Sequence, residues 1–153
     1  RPWERKFLGF IITAALLITI APASLARFKD KVREQWDARQ PLTTNELRDQ
    51  WRSYVKGWWG YYRLAEYRRP IFDKEGWIRR HIRKCFWLRW KTPRGRINAL
   101  RRLGVRGRAL GNGYCRRGAW SMARHWVTHQ ALSNATLNRY GLILPWNFAE
   151  APA

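Results

Sequence analysis

At 153 residues the chain is long enough for one domain with a real core, or for two small ones. Thirty-one Lys and Arg against ten Asp and Glu leave a formal net charge of +21 and a pI near 11.5, a balance that calls for a polyanionic partner, nucleic acid or an anionic membrane. A hydrophobic content of 46% with 11 Trp excludes disorder, and two cysteines, Cys85 and Cys115, make neither a disulfide framework nor a CxxC metal knuckle, which suits a reducing compartment.

The chain opens at Arg1 rather than Met and reads as a piece of a longer protein. Residues 7–26, FLGFIITAALLITIAPASLA, carry no charge, and three readings compete for them. A spanning helix needs roughly 20 apolar residues, but Pro22 and Ser24 look like a helix start, with Pro22 just outside and Ser24 as cap. About 15 residues then remain, short for a span. A signal peptide would use Arg5 and Lys6 as its basic region and Ala21-Pro22-Ala23 as its cleavage site. The content of Ile, Thr and Phe favours two short strands, FLGFIIT and LLITIA, buried on both faces because polar residues do not alternate. Ala14-Ala15 offers no turn residue for that hairpin.

From Leu25 the period becomes helical, with Leu25, Phe28, Val32 and Trp36 at spacings of three and four. Gln40-Pro41 breaks the pattern, and Thr43 with Glu46 forms a capping box. Leu47, Trp51, Tyr54, Val55, Trp58 and Tyr62 then trace one stripe of a long helix. Gly57 and Gly60 lie within it, each costing about 1 kcal/mol against Ala, and close packing of another backbone is the expected reason. Pro70 ends the segment and Asp73 is a cap for the next helix. There Trp77, Ile78, His81, Ile82, Cys85, Phe86 and Leu88 take one side; Arg79, Arg80, Arg83, Lys84, Trp87 and Trp90 take the other. Residues 25–90 therefore read as a three-helix unit. Residues 91–96 have linker composition, 97–103 a short helix, 104–118 a Gly/Arg-rich loop, and 128–140 a last helix stopped by Gly141.

The cationic arc with interleaved tryptophans is the clearest functional feature. Guanidinium groups bind phosphates bidentately, and exposed aromatic rings stack on unpaired bases. Within KGWWGYYR (residues 56–63), Trp58 and Tyr62 are expected in the core, with Lys56, Trp59 and Tyr61 at a surface. His125 and His129 stand one helical turn apart but lack a full zinc ligand set, and no catalytic triad, phosphate loop or zinc-helix motif is present.

In order and spacing, FLGF (7–10), IAPASLARFKDKVRE (20–34), KGWWGYYR (56–63) and FDKEGWIRRHIRKCFWLRWK (72–91) resemble the maturase segment of group II intron-encoded reverse transcriptases. RRLGV (101–105), RRGAW and ALSNATLNRYGL (131–142) resemble the C-terminal extension of bacterial members. The resemblance implies that residues 1–21 end the polymerase palm as a β-hairpin, 22–91 form the helical thumb or domain X, and 92–153 a small, basic, helical extension. It implies group II intron RNA as partner, target DNA as a second, and the rest of the reverse transcriptase upstream, in the bacterial cytoplasm. Mg²⁺ would serve the parent polymerase and the ribozyme, with no cofactor in this chain. The Tyr-x-Asp-Asp polymerase motif and the paired cysteines of the endonuclease are absent, so this chain carries no catalytic residue of its own. Where Arg-Gly-Trp-x-Asn-Tyr is usual, Lys56 and Gly60 stand instead.

The expected architecture is mainly α: hairpin, three-helix bundle, basic helical module. The expected RNA contacts are Lys56, Trp59, Tyr61, Arg79, Arg80, Arg83, Lys84, Trp87, Arg89, Trp90, Lys91, Arg94, Arg96, Arg101, Arg102, Arg106 and Arg108. The competing functional classes are a membrane-associated protein anchored by residues 7–26 and a purely DNA-binding module. Strand edges left open by a missing palm would also favour self-association.

Overall fold

The apolar run divides into a hairpin and the beginning of a helix. The structure, a computed structural model, describes residues 8–150; Phe7 and the basic residues before it, on which the start of the first expected strand and the signal-peptide reading fall, lie outside the described residues. Strands β1 (Phe10–Ile12) and β2 (Ile18–Ile20) pair antiparallel, Phe10 opposite Ile20 and Ile12 opposite Ile18. Both are shorter than the sequence suggested. Thr13 solves the missing turn residue: its C=O accepts from Leu16 N–H (2.9 Å), its N–H donates to Leu17 O (2.8 Å), and its Oγ1 accepts from Leu17 N–H (3.1 Å). Leu16 takes the left-handed position of this three-residue loop at φ 62°, where glycine is usual. The expectation that both faces of the hairpin are buried is wrong. Ile12 and Ile18 are 45% and 40% exposed, because only Phe10 and Ile20 have the helix over 44–62 and its neighbours beneath them. The outer edge of β2 is occupied, since Ile18 O accepts from Glu66 and Tyr67 N–H.

Helix α1 (Pro22–Gln35) begins earlier than expected, with Pro22 in its first turn and Ala21 at the cap. Proline suits that position because the first helical N–H groups have no acceptor anyway. Ser24 does not cap the helix; it is buried inside it and accepts from Arg27. Helix α2 (Thr44–Tyr62) opens on the anticipated capping box, Glu46 N–H to Thr43 Oγ1 (3.2 Å) and Thr43 N–H to Glu46 Oε2 (2.7 Å). A single turn, α3 (Arg69–Phe72), contains Pro70 and ends at Asp73. Helix α4 (Glu75–Arg89) follows, capped by the backbone of Lys74 rather than by Asp73.

The stretch expected to be a linker is the start of helix α5 (Pro93–Arg102). Lys91 adopts φ 61° to reverse the chain, Thr92 Oγ1 accepts from Gly95 N–H (3.1 Å), and Pro93 sits at the first position. Gly95 is required here, since a Cβ on it would fall 2.3 Å from Trp90 O. A 3-10 segment, Gly107–Tyr114, then leads to α6 (Ala119–Met122), α7 (Trp126–Ala131) and α8 (Asn134–Arg139). The single last helix expected over 128–140 is two. Ser133 caps α8 through Thr136 N–H and so interrupts the run, while Gly141 at φ 82° ends it as anticipated.

The first core joins Phe28, Val32 and Trp36 of the α1 segment, Leu47, Trp51 and Val55 of α2, and Ile78, Ile82 and Phe86 of α4 to Leu132, Leu137, Leu142 and Leu144. Trp51 Nε1–H donates to Ile143 O at 2.7 Å, tying the tail to α2. A second core holds Trp87, Leu100, Val105, Met122, Val127 and Ala131. Helix α4 is the wall between the two.

Gly57 and Gly60 answer to no close packing, for a Cβ on either would meet nothing within 4 Å. Gly57→Ala and Gly60→Ala should therefore each stabilise the fold by about 0.5–1 kcal/mol. Urea unfolding checks this; a loss of stability would reinstate the packing explanation.

Candidate nucleic-acid interface

Between Glu75 and Glu150 the chain holds no carboxylate side chain but sixteen Lys and Arg. Every ion pair among the described residues uses an acid at or before Glu75. From Arg80 onward, then, the cations of the described residues are balanced by carbonyl oxygens, aromatic rings or solvent.

The cationic face expected on α4 is divided by packing. Arg83 is only 3% exposed; its Nε–H donates to Leu132 O and Nη2–H to Asn134 Oδ1, both at 2.8 Å. Burial, then repulsion from Arg79, pushes its pKa down to about 10. Trp87, expected to stack on bases, is 1% exposed in the second core. Both corrections have one cause: the 93–134 segment folds back over the side of α4 that the helical period assigned to solvent. Arg79 pairs with Glu75, and Arg80 stacks on Trp120 at 3.9 Å while donating twice to Trp120 O. Lys84 lies apart from these three, in a groove beside the α1–α2 connection. Leu88, expected in the core, is 40% exposed.

Trp59 is likewise buried at 5% rather than at a surface, packed with Ile20 and Ile71. Lys56 and Tyr61 are exposed as expected, though the Tyr61 hydroxyl donates to Leu8 O. Arg89 is half-buried and donates to the carbonyls of Gln40 and Leu42, fastening the α1–α2 connection to the end of α4. Arg96 lies over Trp87 at 4.8 Å. Lys91, Arg94, Arg101, Arg102, Arg106 and Arg108 are exposed.

What packing brings together is a cleft of about 470 Å³ between the N-terminus of α2, the ends of α4 and α5, and α8. Phe86, Leu103, Leu132 and Leu142 give it apolar walls; Asn45, Arg48, Arg89, Trp90, Arg102 and Tyr140 supply its polar and aromatic groups. Through Arg89, Trp90 and Arg102 it continues into a shallow groove along α5, lined also by Asn98 and Arg101. Trp90, half-buried against both cores, stands at the junction. Arg116, Arg117, Arg124 and Arg139 are exposed cations that the motif search missed. The carboxylate-free run would have found them.

His125 caps α7, its Nδ1 accepting from Val127 N–H, and no group of three or more possible metal ligands occurs among the described residues. No helix among them is long and apolar enough to cross a membrane; residues 8–26 are a hairpin and the first turns of α1.

The model of the group II intron maturase-specific domain matches residues 25–104, from within α1 to just past α5 and over more than half of the chain, and the protein belongs to that family. A search of curated proteins found no match.

His81 is buried between Trp77 and Trp120, and desolvation, then the charges of Lys84, Arg33, Arg80 and Lys29, pushes it down to about 4. The unfolded chain takes up this proton near pH 6.5, above the folded value, so stability falls as pH drops from 6.5 towards 4. The expected loss is on the order of 3 kcal/mol, with His129 adding in the same direction. His81→Gln should flatten that window in urea unfolding; an unchanged pH dependence would assign it elsewhere.

Proposed function

We propose that the chain binds group II intron RNA through its carboxylate-free half and, by holding the folded intron core, promotes splicing. It acts as a binding module, with the transesterification left to the RNA. The observation that carries this reading is the family match combined with the exposed, unneutralised cations of α5 and the cleft. Arg101 and Arg102 would meet phosphates, Arg94, Arg106 and Arg108 would extend the track, and Trp90 with Tyr140 would offer aromatic surface at the cleft. Mg²⁺ belongs, in this reading, to the ribozyme and to the parent polymerase. The exposed side chains of Leu8, Ile12 and Leu16 on the hairpin suit continuation into polymerase structure upstream.

Counterion release predicts that log K for a group II intron transcript falls linearly with log salt, by about 0.7–0.9 per phosphate contact. The double variant Arg101→Ala/Arg102→Ala should lower that slope by about 1.5 and leave urea unfolding unchanged, since both side chains are exposed. Affinity that does not respond to salt would sink the proposal. Transcript splicing at limiting Mg²⁺, with and without protein, reads the second step.

A further inference from the structure

Along the N-terminal half of α4, whose C-terminal end borders the cleft, a groove of about 490 Å³ runs between α4 and the α6–α7 segment. Arg79, Arg80, Arg83, Arg124 and His129 all line it, beside Trp77 and Trp120, and no carboxylate does. Two of these cations are fixed before any ligand arrives. Arg80 is gripped by Trp120 O and the Trp120 ring, Arg83 by Leu132 O and Asn134 Oδ1. In both, Nη1 makes no hydrogen bond within the described residues, so one guanidinium nitrogen remains uncommitted. Carbonyl oxygens orient these groups without neutralising them. Burial and mutual repulsion lower the pKa of both, Arg124 pressing on Arg80 and Arg79 on Arg83.

Holding like charges together out of water is unfavourable unless an anion joins them. Guanidinium groups with immobilised forks match the oxygens of a phosphate, and pre-ordering them removes the entropic cost of doing so at the moment of binding. We propose that this groove is a second RNA contact, a built site for a backbone phosphodiester with Arg80 and Arg83 as its fixed donors and Arg124 closing it from outside. It rests on the RNA-binding reading above and adds a separate location, lined by residues that the cleft does not use.

Arg124 is exposed and has no protein partner among the described residues, so Arg124→Ala tests the groove without touching the fold. For the intron transcript, Arg124→Ala should lower the salt slope by about 0.7 and weaken binding about fivefold near 0.1 M salt. Arg63→Ala, which removes an exposed charge outside the groove, should do less. Titrating the whole chain with oligouridylate should shift the His129 ring resonances in the wild type, and in Arg124→Ala the same shift should need about fivefold more ligand. Equal losses in the two variants, or a silent His129, would overturn the groove while leaving RNA binding intact. A wild-type chain that binds neither RNA would overturn the RNA-binding reading and the groove with it.

Discussion

Helix α4 is packed on two sides, and that constraint organises the molecule. Ile78, Ile82 and Phe86 close the first core, while Trp87 enters the second. A helix clothed in five cations and four aromatic rings, His81 among them, is an unexpected central element. It succeeds because the arginines facing the C-terminal segment are received by carbonyl oxygens rather than by hydrocarbon. Arg83 reaches Leu132 O where α7 gives way to α8, and Arg80 reaches Trp120 O in α6. Each bond satisfies a backbone acceptor at a helix end, where the last C=O groups lack partners. The basic residues of α4 are thus part of how the C-terminal segment is docked, and the charge they retain is a by-product of that docking.

This arrangement separates two meanings of a basic residue. Arg89 and Arg96 are structural fasteners whose guanidinium groups end on backbone oxygens. Arg101, Arg102 and Arg106 project from the surface with no such commitment. Sequence alone weighs them equally, and so would a count of net charge. The family match, which runs from α1 to the end of α5, covers residues of both kinds.

Much of the fold was legible because local signals were strong. The capping box at Thr43 and Glu46, the stripe through Leu47, Trp51 and Val55, and the stop at Gly141 all depend on residues a few positions apart. The failures share a different origin. Arg83, Trp87 and Trp59 look like surface residues on their own helices, and only segments distant in sequence cover them. A 3.6-residue period reports one buried side and has no means of announcing a second. Thr92-Pro93 was also readable as a helix start, but the surrounding arginines and glycine gave it the look of a linker. The site was less legible than the fold: only the later part of α5 was read as helix, and the cleft needs Asn45, Arg102 and Tyr140 brought from separate segments.

Nine of the ten carboxylates lie within the first 75 residues, so the chain is electrically lopsided along its length. A lopsided cation near a polyanion experiences torque as well as attraction. Long-range fields of this kind raise encounter rates by roughly 10- to 1,000-fold at low salt. Here they would also turn the molecule before contact, presenting the carboxylate-free half to the polyanion and the hairpin away from it. Orientation would then be set at a distance, within about a Debye length of 10 Å at 0.1 M salt, and fine recognition would begin from an approach already aimed.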